Sequence, residues 1–205
     1  MSIIKLNNQA VKNATSFGSI SSLGSMVLIK KLTASSSATL SFVDGTDGVV
    51  LDDTYKEYII YFKNLHFSND FCNFEVNFRD GDSNFDATKT TTFFRTQHDE
   101  ADTTTDLSYQ TSRDLAQSTG NQTLAENIGN GNDESLSGHL TIFNPASTTF
   151  VKHFLAQTQY YQGSNYSESV FVAGYCNVTV AIDGVRFKPS AGTIDSGDIC
   201  LYGIA

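Results

Sequence analysis

The chain has no tryptophan and only two prolines in 205 residues. Charged side chains make up just 17% of it, and the cysteines number three, Cys72, Cys176 and Cys200. Each scarcity excludes something. Twenty-two acidic residues against 13 basic ones give a formal net charge of −9. Binding nucleic acid by counterion release needs clustered Lys and Arg. The closest basic pair is Lys30-Lys31, so no nucleic-acid partner is expected. The longest apolar runs, such as Tyr58 to Phe62, fall far short of the ~20 residues of a membrane-spanning helix, so no membrane partner is expected. The start, Met1-Ser2-Ile3-Ile4-Lys5, lacks a basic stretch followed by a long apolar one, so no secretion signal is read there. An odd cysteine count, with no C-x-x-C and no Cys/His spacing suited to zinc, predicts small buried hydrophobes in a reducing compartment. One disulfide between residues brought together by a sheet stays open at this level.

Catalytic signatures are missing too. There is no G-x-S-x-G nucleophile elbow, no G-x-G-x-x-G and no Walker A sequence. The expectation is therefore a non-enzyme, with no catalytic, cofactor-binding or metal-ligating residue assigned and no cofactor. A glycosidase-type carboxylate pair is the one chemistry that sequence cannot address, because its geometry is tertiary.

What the chain does have is Ser, Thr, Asn and Gln in place of charge, with 15 Phe and 9 Tyr. A polar surface with few charges suits packing against protein, since fewer charges must be desolvated. Period-two alternation recurs along the chain. In Phe71 to Arg79, Cys72, Phe74, Val76 and Phe78 lie on one face and Asn73, Glu75, Asn77 and Arg79 on the other, the mark of a half-buried strand. Met26 to Leu32, Ala38 to Val43, Tyr55 to Leu65, Leu136 to Phe143, Thr148 to Tyr160, Glu168 to Cys176, Thr179 to Ile182, Gly184 to Lys188 and Asp198 to Ile204 also read as strands. Tyr55 to Leu65 is apolar on both faces in its middle and is expected at the centre of a sheet. The last stretch, Gly192 to Ala205, reads as a turn and then a strand in which Ile199, Leu201 and Gly203 alternate with Cys200, Tyr202 and Ile204, apolar on both faces. It predicts a strand that closes a sheet and is central or covered. Turn signals sit at Asp44-Gly45, Asp47-Gly48, Asn144-Pro145 and Gly163-Ser164-Asn165, with Asp183-Gly184 as a tight turn between two strands. Asp80 to Asn84 is expected to join Phe71–Arg79 to Thr88–Thr96 as an antiparallel hairpin. The fold class that follows is all-β: an antiparallel, jelly-roll-like β-sandwich of nine or ten strands over 26–205. Residues 1–25 are an N-terminal arm or edge segment. Gln97 to Glu134 reads as a long polar excursion with one short strand and a helical turn. Long excursions are often functional, which makes this one the expected partner contact.

Four clusters invite a chemical reading. Asp80, Asp82, Asn84 and Asp86 place oxygen ligands at every second position, as a calcium loop does. An EF-hand would need Gly and Glu where Phe85 and Thr91 stand, so a turn with side chains bonding local amides fits better. His98, Asp99, Glu100 and Asp102 lack metal-ligand spacing and read as a solvated loop. His66, His139 and His153 are single histidines at the core's edge. Tyr160-Tyr161 and Tyr166 flank a turn. They could form a sugar-binding platform or cap the sheet with rings in and hydroxyls out.

Several stretches carry a resemblance. They are Ile29 to Ser35 (IKKLTAS), Tyr58 to Leu65 (YIIYFKNL), Asp80 to Phe85 followed by Thr88 to Thr92, Ser135 to Gly138, Phe143 to Pro145, and the ending Leu201 to Ile204. This run of landmarks resembles a group of small β-rich virion proteins of marine tailed phages, cyanophages especially. The resemblance implies a non-enzymatic structural protein of the virion, made in the host cytoplasm. It would be a capsid decoration or cement subunit, with other virion proteins of capsid or tail as partners and a homo-oligomeric state. The alternative is a tail-fibre or adhesin module that binds a host surface glycan; a glycan-degrading enzyme is a third. The group has no motif that assigns roles to residues, so none is carried over.

Overall fold

The computed structural model describes residues 26–205, so the arm expected over 1–25 lies outside the described residues. Twelve strands follow in chain order: β1 (Met26–Thr33), β2 (Leu40–Val43), β3 (Glu57–Phe67), β4 (Cys72–Arg79), β5 (Lys89–Asp99), β6 (Thr105–Tyr109), β7 (Gln122–Ile128), β8 (Leu136–Phe143), β9 (Lys152–Gln162), β10 (Tyr166–Cys176), β11 (Gly184–Pro189) and β12 (Ile194–Ile204). Every ladder is antiparallel.

Two sheets face each other. The smaller runs β2-β11-β4-β7, and the larger runs β1-β12-β3-β8-β9-β10-β5-β6. A single pair, Ile128 with Gln162, joins them at one corner. Setting aside β5, β6, β9 and β10 leaves two four-stranded sheets, β1-β12-β3-β8 and β2-β11-β4-β7. All but one of the connections among these eight strands cross from one sheet to the other, which is the connectivity of a jelly roll. The four extra strands enter as two excursions, β5-β6 and β9-β10. Both add to the same edge of the same sheet.

Alternation explains which side chains meet. Tyr58, Ile60 and Phe62 of β3, Phe154 of β9, and Ile199 and Leu201 of β12 point inward from the large sheet, all buried. Phe74 and Phe78 of β4 and Phe187 of β11 point back at them from the small one. Phe62 meets Phe74 and Phe187 edge-on, each at 5.1 Å between ring centres, and Phe78 lies 4.9 Å from Phe154. Burying each such side chain is worth about 1.5–3 kcal/mol. The closing strand β12 lies between β1 and β3, as its doubly apolar pattern requires. A Cβ at Gly203 would run into the Tyr55 ring, so this position accepts no side chain.

Some expectations need correction. The hairpin expected from Phe71–Arg79 and Thr88–Thr96 does not form. β4 pairs with β7 and β11, whereas β5 pairs with β6 and β10 in the other sheet. The connection turns a corner between sheets, held by the Ala87 amide donating to the Phe78 carbonyl at 3.1 Å. Residues 179–182 are irregular, and Asp183-Gly184 leads into β11, which begins at Gly184, instead of joining two strands. There Asp183 takes both oxygens to Arg79, at 2.8 and 2.9 Å. The stretch 97–134 holds no helical turn; it contains the end of β5, all of β6 and the whole of β7. The three cysteines are buried and free, which closes the disulfide alternative.

Candidate interaction surface

The inner face of the large sheet makes the core. Its outer face, among the described residues, carries no second layer. Cross-strand register assembles there a row that no single segment contains. Lys31 of β1 lies beside Cys200 of β12, then Tyr61 of β3, His139 of β8, Gln157 of β9, Phe171 of β10, Phe94 of β5 and Tyr109 of β6. The row crosses the sheet from edge to edge and is largely aromatic. Phe94 stacks on Phe171 with centres 5.0 Å apart and planes 8° from parallel. Tyr61 lies 5.9 Å from His139 and meets Tyr202 edge-on at 5.8 Å. A neighbouring row adds Leu28, Tyr202, Ile59, Thr141, Leu155 and Ala173. Leu28 and Leu155 are about half exposed, at 52% and 50%, and Leu107 at the β6 edge is 71% exposed. Between the rows lies a mostly apolar hollow of about 290 Å³ under Phe94, Leu155 and Phe171.

A second feature of this face lies toward the β9–β10 turn. There a groove of about 600 Å³ is lined by His98, Asp99, Glu100, Asp102, Ser135, Ser137, Gln159, Tyr160, Tyr161 and Ser167. The acidic loop after β5 forms one wall, so the residues read as a solvated loop also shape a concavity. The loop is held by Asp99, whose carboxylate accepts the amides of Thr103 and Thr104, each at 2.8 Å, and the Thr103 hydroxyl. The Thr103 and Thr104 bonds hold the Asp99 carboxyl below its usual range. Asp102 takes a positive φ and lies 3.2 Å from His98 Nε2. Tyr161 faces outward and donates its hydroxyl to Asn165 Oδ1 at 3.1 Å. Tyr160 faces inward and is buried, so the two tyrosines read together as a platform are split by the pleat.

The pair of carboxylates that sequence could not address does exist, inside the sandwich. Glu126 of β7 and Glu168 of β10 are 4% and 0% exposed. Arg95 Nη1 is 2.7 Å from Glu126 Oε1 and 3.6 Å from Glu168 Oε1. Arg113 Nε holds the other Glu126 oxygen at 2.6 Å. The Tyr160 hydroxyl donates to Glu168 Oε1 at 2.6 Å and accepts the Glu126 amide at 3.0 Å. Burial pushes the Glu168 carboxyl up and lifts the Tyr160 hydroxyl well above its usual value. Glu126 is held by two arginines and Glu168 by the Tyr160 hydroxyl, and both are buried, so the cluster ties the two sheets together and presents no open face to a substrate. Sequence missed it because Glu126 lies in the segment read as a loop.

The acidic turn behaves as expected. Asp80, Asp82 and Asp86 bring carboxylate oxygens within 4.8 Å of one another. Asp82 accepts the Asn84 amide at 2.6 Å, a local turn bond. Burial and the neighbouring Asp86 and Asp82 carboxylates push the Asp80 carboxyl up. His66 and His139 are half-buried as expected, whereas His153 is exposed.

No protein-family model, curated protein or solved structure matches this chain.

Proposed function

We propose that this protein is a non-enzymatic structural subunit of a virion surface, a decoration or cement protein of a tailed phage. It acts by laying the outer face of its large sheet against neighbouring virion proteins. The observation that carries this reading is the aromatic row from Lys31 to Tyr109, which crosses the whole uncovered face. An apolar and aromatic surface with few charges costs little to desolvate and supplies the anchors that interfaces favour. The landmark resemblance supplies the particle. A jelly roll alone would not, since the fold serves capsid proteins, lectins and enzymes alike. The test is to purify particles, count copies of the protein per particle, and repeat with Phe171→Asp. Hundreds of copies on the head, lost in the variant while the free protein stays folded, is the expected result. Absence from particles sinks the reading.

A second reading is favoured by the groove beside the β9–β10 turn. An outward tyrosine ring flanked by amide, hydroxyl and carboxylate groups suits a neutral sugar. In that case the protein is an adhesin module of the tail. Few copies per particle, and glycan binding that falls at least tenfold in Tyr161→Ala, would establish it over the first.

A further inference from the structure

Both ends of the large sheet are open edges among the described residues, and they differ. β1 is blunted in the ways natural edges usually are: its register slips between Leu28 and Lys30, and it carries Lys30 and Lys31. β6 has none of these protections. It is regular, contains no lysine, arginine or proline, and exposes Leu107 and Tyr109.

The backbone of β6 can be accounted for group by group. Pairs that exchange ladder bonds alternate along an antiparallel ladder. The Gln110 amide donates to the Phe93 carbonyl and the Asp99 amide to the Thr104 carbonyl. These contacts fix the phase, so Asp106 and Ser108 turn their amides and carbonyls toward β5. Thr105, Leu107 and Tyr109 turn theirs outward, where no described group meets them.

We infer that β6 pairs with β6 of a second copy, antiparallel about a two-fold axis at Leu107, joining the two large sheets into one. Three observations choose a second copy and this register. First, the free groups are self-complementary: Thr105 meets the second copy's Tyr109, Leu107 meets Leu107, and every outward amide and carbonyl finds a partner. Second, the charges agree, because Asp106 falls opposite the second copy's Ser108. Centring on Asp106 would set two carboxylates face to face, which is repulsive. Centring on Ser108 would push Thr105 against Thr111, beyond the strand end. Third, the exposed side chains of Leu107 and Tyr109 lie on the outer face, so pairing brings the outer faces of both copies side by side on one surface. The contact is a small one, below the ~1,000 Å² of durable interfaces, so association in the micromolar range is expected. This pairing does not depend on the particle reading, since it can form in solution wherever the protein acts.

The experiment is sedimentation of the full chain across a concentration series, with two variants. Leu107→Lys places like charges opposite each other without removing any bond to β5. The wild type should pass from monomer to twice the monomer mass, and Leu107→Lys should stay monomeric with unchanged thermal stability. Leu107→Cys should cross-link to itself under mild oxidation, because directly opposed residues of a bonded pair lie ~5.5 Å apart at Cα, within disulfide reach. A wild type that remains monomeric throughout overturns the inference, whether β6 stays bare or residues 1–25 take its edge. A dimer that survives Leu107→Lys, or Leu107→Cys that fails to cross-link, overturns it as well.

Discussion

β10 carries two buried polar positions at opposite ends of its inward face, and the fold handles them in opposite ways. At Glu168 the neighbours are Tyr160, which donates its hydroxyl, and Arg95 at 3.6 Å, and Arg95 and Arg113 both bond the adjacent Glu126, so two carboxylates gather around two guanidinium groups. At Cys176 the cross-strand neighbours are Lys89 and Lys152, two ammonium groups on either side of a thiol. Each lysine finds one backbone acceptor, Gly120 at 2.7 Å and Val178 at 2.9 Å. Where opposite charges meet, burial is offset by pairing. Where like charges crowd together, burial is relieved by moving the proton equilibrium. Burial pulls Lys89 down to about 8 and pushes Cys176 up to about 12. A buried polar group thus shows its role only through what stands opposite it in the sheet.

The contrast is open to attack, most strongly at Arg95. Arg95→Met leaves two buried carboxylates short of their shared cation, and a loss of about 3–5 kcal/mol is expected in urea unfolding at pH 7. A loss under about 1 kcal/mol would mean that pairing does not stabilise this end. Tyr160→Phe removes the hydroxyl donated to Glu168 and should cost about 1–3 kcal/mol. That cost should shrink when Glu168→Gln is already present.

At the other end the signature is pH dependence. Lys89 has a folded pKa below its ordinary 10.5, so between about 8 and 10.5 the unfolded chain binds more protons and stability rises with pH. Cys176 is raised above its ordinary 9.0, so the folded chain holds that proton longer and stability falls as pH climbs from 9 toward 12. Wild-type stability should therefore climb from about pH 8, level off near 9 and fall above about 10.5, where only the thiol still holds an extra proton in the folded chain. Lys89→Met should abolish the climb, a change of at most about 1.4 kcal/mol per pH unit. An unaltered profile in the variant would show that the lysine is not the titrating group. The smallest effect expected is that of calcium. With Asp82 already accepting the Asn84 amide, millimolar calcium should move the melting temperature by less than about 1 °C. A concentration-dependent rise would mean that the three carboxylates of the turn take up the cation.

Much of the fold was legible in the residues because alternation records burial directly. The inward set Cys72, Phe74, Val76 and Phe78 is buried as read, and β3 and β12 occupy interior places in their sheet. β7 was not legible. Its sequence, QTLAENI, looks like a loop, yet all but Asn127 is buried. Tertiary bonds make that possible: Thr91 donates to Gln122 Oε1 at 2.5 Å, Thr158 to the Leu124 carbonyl at 2.6 Å, and Glu126 takes two arginines. The false hairpin has the same origin. Two alternating strands joined by a turn look identical whether they pair or separate into facing sheets. On the candidate surface, Tyr61, Phe94, Phe171 and Tyr109 are unremarkable singly, and they become a row only through register.

By itself the sequence determined that this chain forms antiparallel β structure, with strands near these positions and a weakly charged surface. Those properties follow from residue type and period, which are local. Tertiary structure alone decided which strands share a sheet, that β7 is a strand, that Glu126 and Glu168 meet, and that aromatic side chains from five strands align in one row. Each of these depends on pairing between residues far apart in the chain, and a period of two constrains the face a side chain takes without naming its neighbour.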